Sequence, residues 1–206
     1  MLEAGAMFGV TSYSGDLSEN AITLKEVRPG YGFFVRYHFN NQFALKAHVY
    51  SGAISGDDAG TSRASRTLRF GSSIFESAIG GEYYFFAKER RSTTGIFRPR
   101  VNPYLYAGIG FTKGDPRAEY YGTQANTYLK VPIPEEGLKN RFVLAPVSLG
   151  VRAELLEWLV VGGELGFRPV FSDDLDGVKV NADPTDNDWY YFGGVTLSVI
   201  LGRAGE

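Results

Sequence analysis

The 206-residue chain contains no cysteine, which excludes a disulfide framework and all thiol chemistry. It has no run near the roughly 18 apolar residues that a spanning helix requires. Its formal net charge is only −2, without the basic excess of a nucleic-acid binder, so no nucleic-acid partner is expected. The opening MLEAGAMFG has neither a basic start nor an apolar h-region, so it does not read as a signal peptide. If exported, the chain is expected to be a processed form. There is no GxSxG or HExxH motif. No enzyme, no cofactor, no metal site and no small-molecule substrate are therefore expected. Asp173, Asp174 and Asp176 in SDDLDGV offer oxygen ligands of the type Ca²⁺ takes, but not at EF-hand spacing, and read as a solvated acidic loop.

Glycine (26 residues) and aromatics (15%) are abundant, and both are placed with a period of two. In PGYGFFVRYHF, Tyr31, Phe33, Val35, Tyr37 and Phe39 share one face, while Gly32, Phe34, Arg36, His38 and Asn40 share the other. After the turn Asn40-Asn41-Gln42, Leu45, Ala47 and Val49 alternate with Lys46, His48 and Tyr50. Alternation broken by a short polar link predicts a β-hairpin. A soluble half-buried strand sets apolar residues against a solvated face. Here one face is a stack of aromatics and the other mixes charge with glycine, the pattern of a strand with lipid outside and a polar lumen inside.

The same pattern predicts eight strands: Glu3 to Tyr13, the two hairpin arms, Thr67 to Phe86, Pro103 to Lys113, Arg141 to Leu155, Trp158 to Phe171, and Trp189 to Gly202. Gly114 to Asn140 carries no pattern. Long connections follow the odd-numbered strands and shorter ones the even-numbered strands. An antiparallel up-and-down transmembrane β-barrel, a single outer-membrane domain over residues 1–206, satisfies that alternation. Its termini and short turns would face the periplasm and its long loops the outside. A lipocalin-like soluble barrel would instead line its lumen with apolar residues. Pro146 falls inside the sixth strand, where a bulge is expected to absorb its missing N–H.

The inward set holds Glu3, Arg36, His38, Lys46, His48, Glu76, Glu82, Arg152, Glu154, Glu164 and Arg168. An eight-stranded interior is just wide enough for side chains to fill, so these residues are expected to pair into a plug. An ion path gated by the two histidines is the sharper alternative. The connection KERRSTTGIFRPR, at the rim of the termini, is arginine-rich around an aromatic. Arg90, Arg91, Phe97, Arg98 and Arg100 are candidates for docking a partner, with Phe97 as anchor and the arginines as rim.

Five segments, GVTSYSGDL, RPGYGFFVRYHFNNQFALKAHVYSGAISGDD, FGSSIFESAIGGEYYFF, PYLYAGIGF and ELGFRPVFSDDLDGV, follow one another over nearly the whole chain. Together they resemble the PorG-type outer-membrane proteins of the Bacteroidota, often designated only as a barrel domain of unknown function. The resemblance implies a structural component of the type IX protein secretion system in the cell outer membrane. Its partners would be outer-membrane lipid, a periplasmic ring lipoprotein and that lipoprotein's partner subunit. A stand-alone barrel binding ligands or host surfaces through its loops is the alternative.

Overall fold

The computed structural model describes residues 1–14, 27–57, 68–86, 97, 99–120, 141–171 and 189–202. They form nine β-segments: β1 (Leu2–Ser14), β2 (Arg28–His38), β3 (Phe43–Asp57), β4 (Leu68–Tyr84), β5 (Arg100–Tyr120), β6 (Arg141–Leu144), β7 (Val147–Glu154), β8 (Leu159–Pro169) and β9 (Trp189–Gly202). Each pairs antiparallel with its neighbours, β1 meets β9, and β6 and β7 both lie along β5. The two short segments are halves of one strand, so the sheet closes as an eight-stranded barrel.

Register fixes the barrel's shape. Following paired residues around the wall from Val151 leads through Gly163, Val195, Phe8, Tyr31, Ser51, Phe75 and Lys113 to Arg141. Positions 151 and 141 are ten residues apart on one strand. A climb of about 33 Å over about 38 Å of hydrogen-bonded width gives a strand tilt of about 40°.

Within the membrane-facing part of the wall the strands follow the alternation read from their sequence, which lapses toward the long loops, as at Ile54-Ser55-Gly56. Val35 is exposed while Arg36 is buried, and Val147 is exposed while Ser148 is buried. The outward face carries Leu165 at 72% and Val195 at 62% exposure. Among the described residues, it holds no charged side chain from Leu201 and Val101 at the terminal rim up to Phe75 and Val143. With about 2.5 Å of height per tilted residue, this belt is on the order of 28 Å tall, close to the apolar band of outer-membrane barrels. Aromatics mark its edges: Tyr37, Phe39, Phe43, Tyr83 and Phe85 at the terminal end, and Phe167, Trp189 and Tyr191 at the other.

Three expectations need correction. Strand five extends seven residues past Lys113 to Tyr120, because β4 supplies a backbone template that side-chain periodicity does not reveal. Pro116 is tolerated there, since among the described residues β5 has no second neighbour beyond Lys113. It also begins earlier, at Arg100. Pro146 causes no bulge. Gly110↔Leu144 and Ala107↔Val147 lie on one unbroken register, as do Leu144↔Val170 and Val147↔Phe167 on the other side. The Gly108 N–H still donates to the Pro146 carbonyl at 3.0 Å. The ladder simply forgoes the return bond, dividing β6 from β7.

Candidate functional site

The lumen is where the chain concentrates its chemistry. Inward positions of β1, β2, β3, β4, β5, β7 and β8 each contribute charge, and the closed wall brings together residues far apart in sequence. Glu3 accepts from Arg152 Nε at 3.0 Å and Nη2 at 2.6 Å, across 149 positions. It also accepts from Arg36 Nη1 and from Ser198 Oγ at 2.7 Å. The other Arg36 terminus, Nη2, donates to Glu82 at 2.9 Å. Lys46 Nζ lies 3.9 Å from Glu82 and 2.5 Å from Glu164. Arg168 lies 3.6 Å from Glu164, and its Nε donates to Glu76 at 3.1 Å. At the terminal end, Arg152 Nη1 donates to Glu154 at 2.5 Å, and Glu154 also accepts from Arg100 Nε at 2.8 Å.

These contacts form one chain of alternating sign: Arg100, Glu154, Arg152, Glu3, Arg36, Glu82, Lys46, Glu164, Arg168, Glu76, His48. Each carboxylate touches at least two basic groups. Four of the five also accept from a hydroxyl: Glu3 from Ser198, Glu82 from Tyr84 (2.6 Å), Glu164 from Tyr104 (2.8 Å) and Glu76 from Tyr190 (2.5 Å). His48 Nε2 lies 2.6 Å from Glu76, and His38 Nε2 lies 3.2 Å from Glu3. The members are at most 8% exposed. Removing such charges from water costs several kcal/mol each unless partners and hydrogen bonds replace the solvent. Here five glutamates meet five permanent cations, so the permanent charges of the chain balance.

All eleven inward residues named from the sequence lie in this network. Arg100 does not lie at an exposed rim; it is 8% exposed and bound to Glu154, the fifth cation that balances the set. Phe97 is half-buried, while Arg90, Arg91 and Arg98 lie outside the described residues, as do Asp173, Asp174 and Asp176. Sequence reading did not single out the hydroxyl donors Tyr84, Tyr104, Tyr190 and Ser198. For the three tyrosines the signal was present in an inward parity two or four residues from a charge; Ser198 carries no such signal.

The lumen is not polar throughout. Toward the long loops the charges give way to a packed layer that includes Ile54, Ile74, Phe142, Leu144 and Val170, while Phe34 lies among the charges, its ring 4.8 Å from Arg36 and 5.4 Å from Lys46. Glycine on one strand makes room for an aromatic on the next. A Cβ on Gly30 would lie 2.0 Å from the Tyr50 hydroxyl, and one on Gly150 would lie 2.3 Å from Tyr104 Cζ. Large rings therefore pack against the wall where glycine leaves room for them. The arrangement leaves no lumen carboxylate without a basic partner among the described residues, and it places an apolar layer between the charges and the long loops.

Residues 1–205 match the family model described as Domain of unknown function (DUF6089). The chain belongs to the DUF6089 family. No curated protein matches its sequence. Among solved structures, the barrel is similar to neisserial surface protein A (NspA), with 12% identity, a TM-score of 0.57, and 97% of each chain covered. It also matches OprG from Pseudomonas aeruginosa at 10% identity and a TM-score of 0.48, covering 96% of this chain and 94% of that one. Ail, the attachment invasion locus protein of Yersinia pestis, matches at 9% identity and a TM-score of 0.44, covering 96% and 97%. At such identities the NspA likeness speaks to fold: this DUF6089 chain is an eight-stranded antiparallel barrel that resembles small outer-membrane barrels.

Proposed function

We propose that this DUF6089 barrel is a non-conducting, non-enzymatic scaffold of the type IX secretion machinery that anchors the periplasmic ring beneath the outer membrane. The observation that carries the scaffold reading is the self-neutralised, apolar-capped lumen. A barrel filled in this way moves no solute, so its work falls to its rims. By the convention of outer-membrane barrels, the termini and short turns face the periplasm and the long loops face outside. The secretion role rests on the resemblance to PorG-type proteins.

The β4–β5 connection is the longest in sequence of the three connections at the terminal rim. It supplies Phe97 as the apolar anchor for a ring subunit, with Arg90, Arg91 and Arg98 as its charged border. Arg100 takes no part, because Glu154 holds it inside. Affinity isolation from native membranes in mild detergent tests this reading. Ring lipoprotein should co-purify with the unmodified chain and be lost when Phe97→Ser and Arg98→Ser are combined, with folding unchanged. Retained ring would move the contact elsewhere.

One observation favours a second reading. Segments β3, β4 and β5 continue beyond the apolar belt as a three-stranded extension on the long-loop side, through Asp57↔Arg69 and Leu68↔Tyr120. Such a platform suits a stand-alone barrel that binds ligands or host surfaces. Isolation without any ring subunit would support it.

A further inference from the structure

Lys113 and Arg141 are direct cross-strand partners at the end of the β5–β6 ladder. Both point outward and are exposed, and neither has an ion-pair partner among the described residues. Like charges placed opposite each other across a ladder repel, so this pair lowers stability unless an anion lies between them. Their height is distinctive. The row immediately below is Phe111 opposite Val143, the top of the apolar belt on these strands. Exposed Phe171, whose N–H donates to the Val143 carbonyl at 2.9 Å, flanks the same spot. Lys113 and Arg141 are thus the first charges met above the belt on this side of the barrel. Asp115, the next outward residue of β5, lies farther from the belt.

Directly below Lys113 the outer wall is recessed. A groove of about 580 Å³ crosses β2 to β5 where small Ala47 and Ser77 form a floor between Phe33 and Phe111. Its lining is continuous with the belt through Ile79 and Ile109. An apolar recess of this kind fits a hydrocarbon chain, and a paired ammonium and guanidinium at its upper end fit a phosphate. The geometry points to a binding site for an anionic, phosphate-bearing lipid in the leaflet on the long-loop side. The phosphate bridges Lys113 and Arg141 and one acyl chain lies in the groove. This rests on the reading of the barrel as membrane-spanning. Continuity with the belt selects a lipid over free phosphate, because a soluble anion would leave the groove without an occupant matched to the charge above it.

The test uses a reporter inside the groove. Ile109→Trp is introduced with Trp158→Phe and Trp189→Phe, and the protein is folded into phosphatidylcholine vesicles. Folding is checked by heat-dependent gel mobility. Quenching is then compared for chain-brominated phosphatidylglycerol and chain-brominated phosphatidylcholine at equal mole fraction. The site predicts a roughly fivefold preference for the anionic lipid, given the attraction of basic residues near a membrane surface for anionic headgroups. That preference should disappear in Lys113→Gln combined with Arg141→Gln, and weaken as salt is raised. Equal quenching by the two lipids in the parent protein, or a preference that survives both substitutions, overturns the site. Absence of quenching by either lipid would overturn the membrane-spanning reading as well.

Discussion

Replacing Glu164 with Gln keeps the side chain's volume and its contact with the Tyr104 hydroxyl but removes one charge from the middle of the lumen chain. Glu164 is 2% exposed and is the close partner of Lys46, at 2.5 Å. Without it, Lys46 retains only Glu82 at 3.9 Å, while Arg168 keeps Glu76 at 3.1 Å. The damage therefore concentrates on one stranded ammonium that is 0% exposed. Breaking a buried pair from one side costs about 3–5 kcal/mol, whereas a solvated pair is worth about 1 kcal/mol or less. Urea unfolding of the vesicle-inserted protein should show a loss in the first range. Adding Lys46→Met should recover most of it, since the double variant removes the stranded charge and keeps its apolar stem. A single-variant loss below about 1 kcal/mol would refute the reasoning, and so would a double variant no better than the single.

Three other outcomes are expected. Val35→Arg, on the outward face near the middle of the belt, should cost about 2–4 kcal/mol of stability in vesicles. Tolerance equal to that of Val35→Leu would reverse the assignment of faces. Gly150→Ala should force Tyr104 away from Glu164, because the new Cβ would lie 2.3 Å from the ring. A loss of about 1–3 kcal/mol is expected in the same unfolding assay, and an unchanged midpoint would contradict the packing of that ring against the wall. The chain's two tryptophans, Trp158 and Trp189, sit at opposite edges of the belt, separated in height by roughly 30 Å. Depth-resolved quenching of the single-tryptophan variants should place each near a different headgroup region. Two equally deep signals would be inconsistent with the belt.

Much of this barrel was legible in the sequence because alternate residues take opposite faces. Val35 and Arg36 needed no tertiary information to be placed, and neither did the turn at Asn40, whose Oδ1 accepts from the Gln42 and Phe43 amides at 2.8 Å each. Pairing across the lumen was not legible. Glu3 meets Arg152 only because β9 closes onto β1 and the tilted wall brings the two positions to one height. Arg100 was misplaced for a related reason. The segment around it has no apolar rhythm, yet β7 pairs with it by backbone alone, turning its side chain inward. The extension of β5 through Pro116 escaped notice in the same way. The lumen tyrosines follow the same alternation, but nothing in the sequence marks them as hydrogen-bond donors, since a phenol reads as apolar until a carboxylate is seen beside it.

The proposed scaffold role requires that the filled lumen conduct nothing. Single-channel recording from the unmodified protein in planar bilayers tests that claim most directly, with insertion verified independently by resistance to added protease. The self-neutral chain from Arg100 to His48 and the apolar layer beyond it predict a baseline without defined conductance steps. Steady, long-lived channels of uniform amplitude would contradict it.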